Sequence, residues 1–357
     1  MKESLRTTAF LALGVCIPNF AFGLDPDPAP LKNSVPVLIK PATSAIPKTS
    51  NPGSEATVST PKPRPKPTPE QRDAVVRLQT FLDASLFGPG KIDGQTGEFT
   101  VKATALYQQA HGLEQTGSPE NLPLPNTQIY TEYTLQDGDK RFVGQVPSST
   151  AEQSKRRSLP YGSFQEFLSE RFHCSPTLLE ELNPSLKLDS LKVGDSLKVP
   201  AVEPFKIEDI SPTATLPEVP EFKERRIQIS RKERILQLLD GEKLIAAFPI
   251  TPGSTSLPTP PGKWRILAIS TLPTFRWDEG VLNHGVRTND FYMLPSGPNN
   301  PVGVVWCALN KPGIGIHGTN QPETIGRAFS HGCMRVANWD VIRLVKQISA
   351  GVRVDIE

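Results

Sequence analysis

Cysteine is scarce in this chain: four occur in 357 residues, and one of them, Cys16, lies near the start. The other three, Cys174, Cys307 and Cys333, are an odd number, which argues against a full disulfide framework of the kind that holds small secreted domains together. Neither Cys-x-x-Cys nor His-Glu-x-x-His occurs, so the spacings that mark zinc sites are missing and neither a metal nor a cofactor is expected. An excess of one charge is also lacking. The 39 basic and 37 acidic residues leave a formal charge of +2, too small to argue for nucleic acid as a partner. The apolar stretch from Ala9 to Ile17 is too short to cross a bilayer comfortably.

Proline is abundant, 37 residues, and divides the chain. Residues 1–23 combine Lys2 and Arg6, the Ala9–Ile17 run and a small-residue site at Ala21-Phe22-Gly23, which predicts an export signal. A membrane contact follows only if that segment is retained. Residues 24–69, ending in Pro61-Lys62-Pro63-Arg64-Pro65-Lys66-Pro67, have too little apolar surface to offset their ordering entropy and read as an extended tether. Residues 70–123 read as a small helical domain, with Val75, Leu78, Phe81 and Leu82 on one helix face and Val101, Ala105 and Tyr107 on a second helix after Thr100. Residues 129–202 read as an α+β module: a first strand at Tyr133-Thr134-Leu135, helices opened by Ser163 (with Glu166 as a capping box) and Ser175, and a last strand from Leu191 to Pro200. A linker is expected over 203–221.

Residues 222–357 predict a mainly-β domain. Ile227 to Ile229, Ile235 to Leu238, Leu244 to Phe248, Trp264 to Ile269, Val302 to Leu309 and Val352 to Ile356 are the strand candidates, with Asp240-Gly241 as a hairpin turn. The one principal helix follows Asn338, its expected N-cap, with Val341, Leu344, Val345 and Ile348 at i, i+3, i+4, i+7. The stretch Pro273 to Pro295, with Trp277, Asn283 and His284, falls between strands and is placed to line or cover a cleft.

The chemistry concentrates in two segments, Ile316-His317-Gly318-Thr319 and Ser330-His331-Gly332-Cys333-Met334-Arg335. A thiol flanked by histidines is the composition of a cysteine acyl-transfer site, in which an imidazole or helix N-terminus draws the sulfur toward ionisation. Cys333 is the expected nucleophile, His317 at a strand end the expected base, and His331 an orienting neighbour. Gly332 lets a carbonyl approach, its amide and that of Cys333 forming an oxyanion hole just ahead of the helix. Arg335 suits a substrate carboxylate, while Ser330, Gly318 and Thr319 complete the binding surface or support it by hydrogen bonds. A zinc site on His317, His331 and Cys333 is the competing reading, weakened by the missing spacing motifs. Cys307 is expected to be buried and free, since a bridge to Cys333 would silence the site.

These segments, together with Gly297-Pro298-Asn299-Asn300-Pro301-Val302-Gly303-Val304-Val305-Trp306 and Asn338-Trp339-Asp340, resemble the YkuD-type L,D-transpeptidases over roughly Phe222 to Glu357. The resemblance implies a YkuD-like β-sandwich with one principal helix. It also implies a two-step reaction, in which Cys333 takes up a peptidoglycan stem peptide as a thioester with release of D-alanine. A stem amine then forms a 3→3 cross-link, a lipoprotein lysine attaches protein to the wall, or water makes the enzyme an L,D-carboxypeptidase. The string Leu78-Gln79, Ile92-Asp93-Gly94, Thr100 and His111-Gly112-Leu113 resembles a peptidoglycan-binding domain. Residues 129–202 resemble a LysM module, with an insertion of about twenty residues after Gly138-Asp139. The expected partners are peptidoglycan stem peptides and glycan strands, with a lipoprotein as one acceptor, and the expected location is the periplasm or wall. A non-catalytic wall-binding protein is the rival from another class.

Overall fold

Helix α1 (Pro69–Ala84) begins inside the stretch read as tether, and its cap explains why. The Thr68 hydroxyl accepts from the Gln71 N–H, Gln71 reaches back to the Thr68 N–H, and Pro69 sits in the first turn, where no donor is needed. This computed structural model describes residues 67–357 apart from 328 and 329. The expected export segment and nearly all of the tether therefore lie outside the described residues. Helix α2 (Glu98–Ala110) packs on α1 through Leu78, Leu82, Phe87, Ala103 and Tyr107. Ile235, Leu244 and Ala247 of the last domain complete the same apolar cluster, so the helical domain is not a separate bead.

The second module runs β1 (Tyr130–Thr134), α3 (Thr150–Gln153), α4 (Phe164–Arg171), α5 (Pro176–Leu182) and β2 (Ser196–Pro200). β1 pairs antiparallel with β2, Tyr130 opposite Pro200, a few residues earlier than the strand expected at Tyr133–Leu135. Ser163 and Ser175 cap α4 and α5 through the N–H groups of Glu166 (3.1 Å) and Leu178 (3.0 Å). The expected capping box is half made, because the Glu166 carboxylate reaches one residue further back and accepts from the Gly162 N–H at 2.7 Å. The 203–221 linker is laid down on its neighbours. Phe205 and Ile207 are buried, Glu208 pairs with Arg171 at 2.7 Å, and the Leu216 N–H donates to the Ile269 carbonyl at 2.8 Å.

The last domain contains β3 (Arg225–Ser230), β4 (Ile235–Asp240), β5 (Lys243–Pro249), β6 (Gly262–Thr271), β7 (Phe275–Trp277), α6 (Glu279–His284), β8 (Tyr292–Leu294), β9 (Val305–Leu309), β10 (Gly315–His317), β11 (Met334–Arg335), α7 (Asn338–Val345) and β12 (Arg353–Ile356). The expected hairpin at Asp240-Gly241 joins β4 to β5, with Gly241 at a positive φ of 57°. The sandwich expectation needs one correction. Eight of the ten strands form one continuous sheet, β11-β10-β9-β6-β12-β3-β4-β5, because the ten-residue β6 serves both halves, and β7 pairs with β8 alone. The first part of β6 pairs with β12 and its second with β9, with an irregularity between Ile266 and Ala268, the kind of bulge by which a strand passes from one layer to another. Helix α7 fills the core with Trp339, Val341, Leu344 and Val345, followed by Ile348, all buried.

The accessory modules are bound to this domain by backbone and charge. Ala247 on the edge strand β5 donates to the Leu86 carbonyl (2.9 Å) and accepts from the Gly88 N–H (2.8 Å), so the helical domain covers an otherwise open sheet edge. Asp83 of α1, buried to 1% exposure, is ion-paired with Arg343 of α7 (2.8 Å) and lies 3.1 Å from Nδ1 of His173 of the second module, whose ring stacks on Trp339. Burial alone would raise the Asp83 carboxyl, but His173 and Arg343 more than offset it and hold it well below the usual carboxylate range. Removing one partner of a buried pair strands the other charge. Arg343→Met is therefore expected to lower the unfolding free energy by about 3 kcal/mol or more in urea; a loss below about 1 kcal/mol would show that Asp83 finds compensation elsewhere.

Candidate active site

Two short parallel strands assemble the site. β10 carries His317 at its end, β11 begins one residue after Cys333, and their register sets Ile316 opposite Met334 and His317 opposite Arg335. Side chains alternate along a strand, so Ile316 and Met334, both fully buried, face the core. Gly315, His317, Cys333 and Arg335 then fall on the other face, where Arg335 acts electrostatically on both Cys333 and His317. Two distant sequence segments are brought together in this way, a juxtaposition that spacing alone does not reveal.

The His317 imidazole is buried, stacked on Trp306 at a centroid distance of 5.4 Å, and its Nδ1 lies 2.6 Å from the Gly318 carbonyl oxygen. A carbonyl only accepts, so Nδ1 carries the proton and Nε2 is left with the basic lone pair. Burial pushes this imidazole down to about 4, with Arg335 acting in the same direction, so it is neutral at pH 7. Cys333 is half-buried and its thiol donates to the Gly313 carbonyl at 3.4 Å. Desolvation pushes the thiol up to about 11, against the lowering influence of the Gly315 backbone and Arg335. Burial thus works against the expected pull of the sulfur toward ionisation. Burial disfavours both charged forms, and the pair rests as neutral thiol and neutral imidazole.

Other expected residues take up different places. Cys333 is separated from α7 by β11, and Asn338 is the first residue of that helix, with Ala337 as its cap. The thiol thus does not sit at a helix N-terminus. The Gly332 N–H is already engaged by Ser330 Oγ (3.2 Å), and the Ser330 hydroxyl donates to the Cys333 carbonyl (2.5 Å). This leaves the Cys333 N–H, without a partner among the described residues, as the remaining local donor. Gly332 has a φ of +106°, which favours glycine and gives this residue a conformational role. Ser330, Gly318 and Thr319 are buried. Ser330 instead ties the turn before the thiol, and Thr319 Oγ1 accepts from the Gln321 N–H at 3.1 Å. His331 is exposed and lowered by burial and by Arg335. The Arg335 guanidinium, half-buried, makes no ion pair among the described residues and keeps its fork available. Cys307 is buried and free, its thiol pushed up to about 12 by burial, as its strand position suggested. Among the described residues no group of three or more His, Cys, Asp or Glu side chains is arranged to hold a metal.

A groove of about 600 Å³ reaches residues that contact this pair, although Cys333, His317 and Arg335 do not themselves line it. Two of its walls are Trp306, which stacks on His317, and Gly313, which accepts from Cys333. The far wall is the β7-α6-β8 excursion, contributing Phe275, Arg276, Asp278, Val281 and Arg287; Trp277 and His284, singled out in the sequence, do not line it. Asp278 holds the excursion together, accepting from the N–H groups of Gly280 (3.1 Å), Val281 (3.3 Å) and Thr288 (2.9 Å) and from the Thr288 hydroxyl (2.8 Å).

Asn338 was missed as anything but a cap. Its Oδ1 accepts from the N–H groups of Val304 (3.1 Å) and Thr319 (3.2 Å), and its Nδ2 donates to Glu170 of α4 (2.9 Å). Asn-Trp-Asp at the start of a helix does not by itself distinguish a cap from a buried crosslink.

The fold thus sets the Cys333 and His317 segments side by side on neighbouring strands. Residues 224–356 match the YkuD family, the L,D-transpeptidase catalytic domain, and residues 71–121 match a family described as "Putative peptidoglycan binding domain". The chain is thus an enzyme of the L,D-transpeptidase class, in which a mainly-β catalytic domain follows a helical peptidoglycan-binding region. It is 29% identical over 195 residues to the "Putative L,D-transpeptidase YkuD" of Bacillus licheniformis, covering 55% of this chain and 94% of that one. Its namesake in Bacillus subtilis is 29% identical over 188 residues, 52% of this chain and 88% of the relative. An L,D-transpeptidase structure from Mycobacterium smegmatis is similar at 17% identity and a TM-score of 0.31, over 38% of this chain and 58% of that chain, so the match spans less than two thirds of it.

Proposed function

We propose that this enzyme forms 3→3 cross-links between peptidoglycan stem peptides, with Cys333 as nucleophile and His317 as general base. Because the pair is neutral at rest, the proton leaves the sulfur as attack occurs. Cys333 Sγ adds to the carbonyl carbon of the third stem residue while His317 Nε2 takes the thiol proton. The carbonyl oxygen becomes the oxyanion, with the Cys333 N–H available to it. The C–N bond to D-alanine then breaks, the imidazolium returns the proton to the leaving amine, and a thioester remains. A side-chain amine of a second stem attacks the thioester, His317 removes the amine proton, and the thiol is regenerated. Arg335, beside the thiol and without an ion-pair partner, is the group suited to a stem carboxylate. Arg287 on the groove wall suits the charge of an acidic peptide, whereas Arg276 is paired with Asp278 at 3.1 Å. The observation that carries this reading is the pairing of β10 with β11, which supports a shared role for His317, Cys333 and Arg335.

The accessory regions fit a wall enzyme. The order β1-α4-α5-β2, with α3 inside the insertion and β1 and β2 antiparallel, supports a LysM-like, glycan-binding reading of residues 129–202, and export to the periplasm or wall follows from the substrate. The activity is tested by incubating the full chain with defined disaccharide tetrapeptides. The expected main product is a 3→3 dimer with free D-alanine. Tripeptide alone would assign the carboxypeptidase reaction, product formed only with a lysine-bearing lipoprotein would assign attachment, and no D-alanine release would contradict the proposal.

A further inference from the structure

The deepest connection between the accessory modules and the catalytic domain runs through one buried carboxyl group. Glu170 lies on α4 and is 5% exposed. The Tyr161 hydroxyl donates to its Oε2 (2.5 Å), and Asn338 Nδ2 donates to its Oε1 (2.9 Å). With its amide nitrogen held there, Asn338 presents Oδ1 to the N–H groups of Val304 and Thr319. Space for that oxygen is made by two glycines. A Cβ on either Gly303 or Gly318 would stand 2.1 Å from Asn338 Oδ1. Gly318 is the residue whose carbonyl holds the His317 Nδ1 proton, and its own N–H donates to the Val305 carbonyl at 3.1 Å. The backbone that sets the tautomer and tilt of the imidazole is thus fixed on one side by the sheet and on the other by Asn338.

We infer that Glu170 is a positioning residue for the catalytic histidine: by locking the Asn338 amide, the accessory module sets the 317–319 backbone from which His317 takes its orientation. This rests on the assignment of His317 as base. Desolvation raises the Glu170 carboxyl to about 8, so it is mostly neutral at pH 7, and Gln offers a neutral group of the same shape. Glutamine keeps an acceptor for Asn338 and presents its NH₂ to the Tyr161 oxygen where Oε2 had accepted the Tyr161 proton; Glu170→Met keeps volume but leaves the Asn338 amide unsatisfied.

The test uses the full chain in three forms: wild type, Glu170→Gln and Glu170→Met. Two readouts are taken: the imidazole ¹⁵N–¹H NMR signal of His317, and the rate constant for acylation of Cys333 by a carbapenem, separated from initial binding. Expected for the Met variant is a shifted or exchange-broadened Nδ1–H signal and acylation slower by about tenfold or more, as small misplacements of a catalytic group produce. The Gln variant is expected to restore both. An unchanged His317 signal in Glu170→Met, or a Gln variant as slow as the Met variant, would overturn the inference. If the wild type is not acylated at all, the function proposed above fails, while the NMR signal still decides whether Glu170 positions the imidazole. If Glu170→Met does not fold, the decision falls to Glu170→Gln, whose signal and rate must match the wild type.

Discussion

Replacing Cys333 with alanine is expected to abolish covalent labelling by a carbapenem, scored as the mass shift of the intact protein. The expectation is all-or-none because no second thiol among the described residues is equipped for the task. Cys174 and Cys307 are buried, and burial pushes both thiols up to about 12. Neither offers an accessible nucleophile, and a thiol that is neither exposed nor ionisable is inert. Peptide mapping separates any label on Cys16 from label on Cys333. Adduct retained in the Cys333→Ala variant and mapped to another residue would dismiss the nucleophile assignment. No adduct on a folded, reduced wild type would favour a wall-binding role on an inactive catalytic fold.

His317→Ala is expected to slow that acylation by roughly a hundredfold or more, the usual contribution of a positioned general base. The pH dependence carries more information than the magnitude. Burial lowers the imidazole to about 4, so in the wild type Nε2 is free to accept a proton across the neutral range and activity falls only as the pH drops toward about 4. Without the imidazole, reaction has to wait for the free thiolate. Its concentration rises tenfold per pH unit up to about 11, so the variant's profile should climb steadily where the wild type's is flat. Acylation that is unchanged in His317→Ala would move the role of base to His331, which is exposed and two residues from the thiol.

Much of the catalytic domain was legible in the chain because its elements are encoded locally. The alternating runs around Ile227, Leu238 and Phe248 became β3, β4 and β5, and the Asp240-Gly241 turn joined two of them. The apolar face Val341, Leu344, Val345 and Ile348 is buried as its period required. Thr68 and Pro69 also carried a local signal, yet a proline-rich neighbourhood concealed it. What could not be read is what depends on partners far apart in sequence. The register of β10 against β11 is a tertiary fact, and so is the burial that makes thiol and imidazole neutral. Asn338 looked like a cap because Asn before an apolar period usually is one. Its role emerges only once Glu170, 168 residues away, is beside it. Thr319 and Ser330, next to the reactive residues, were read as completing the binding surface or supporting it by hydrogen bonds, and their buried side chains make such bonds within the protein.

The central claim is that Cys333 holds its proton until the moment of attack, when His317 removes it. Ultraviolet thiolate absorbance, followed from pH 5 to pH 11 as the difference between wild type and Cys333→Ala, measures this directly. The account predicts no thiolate from Cys333 at pH 7 and a rise only on approach to about 11. Thiolate already present near neutral pH, and lost in His317→Ala, would show an ion pair at rest and contradict it.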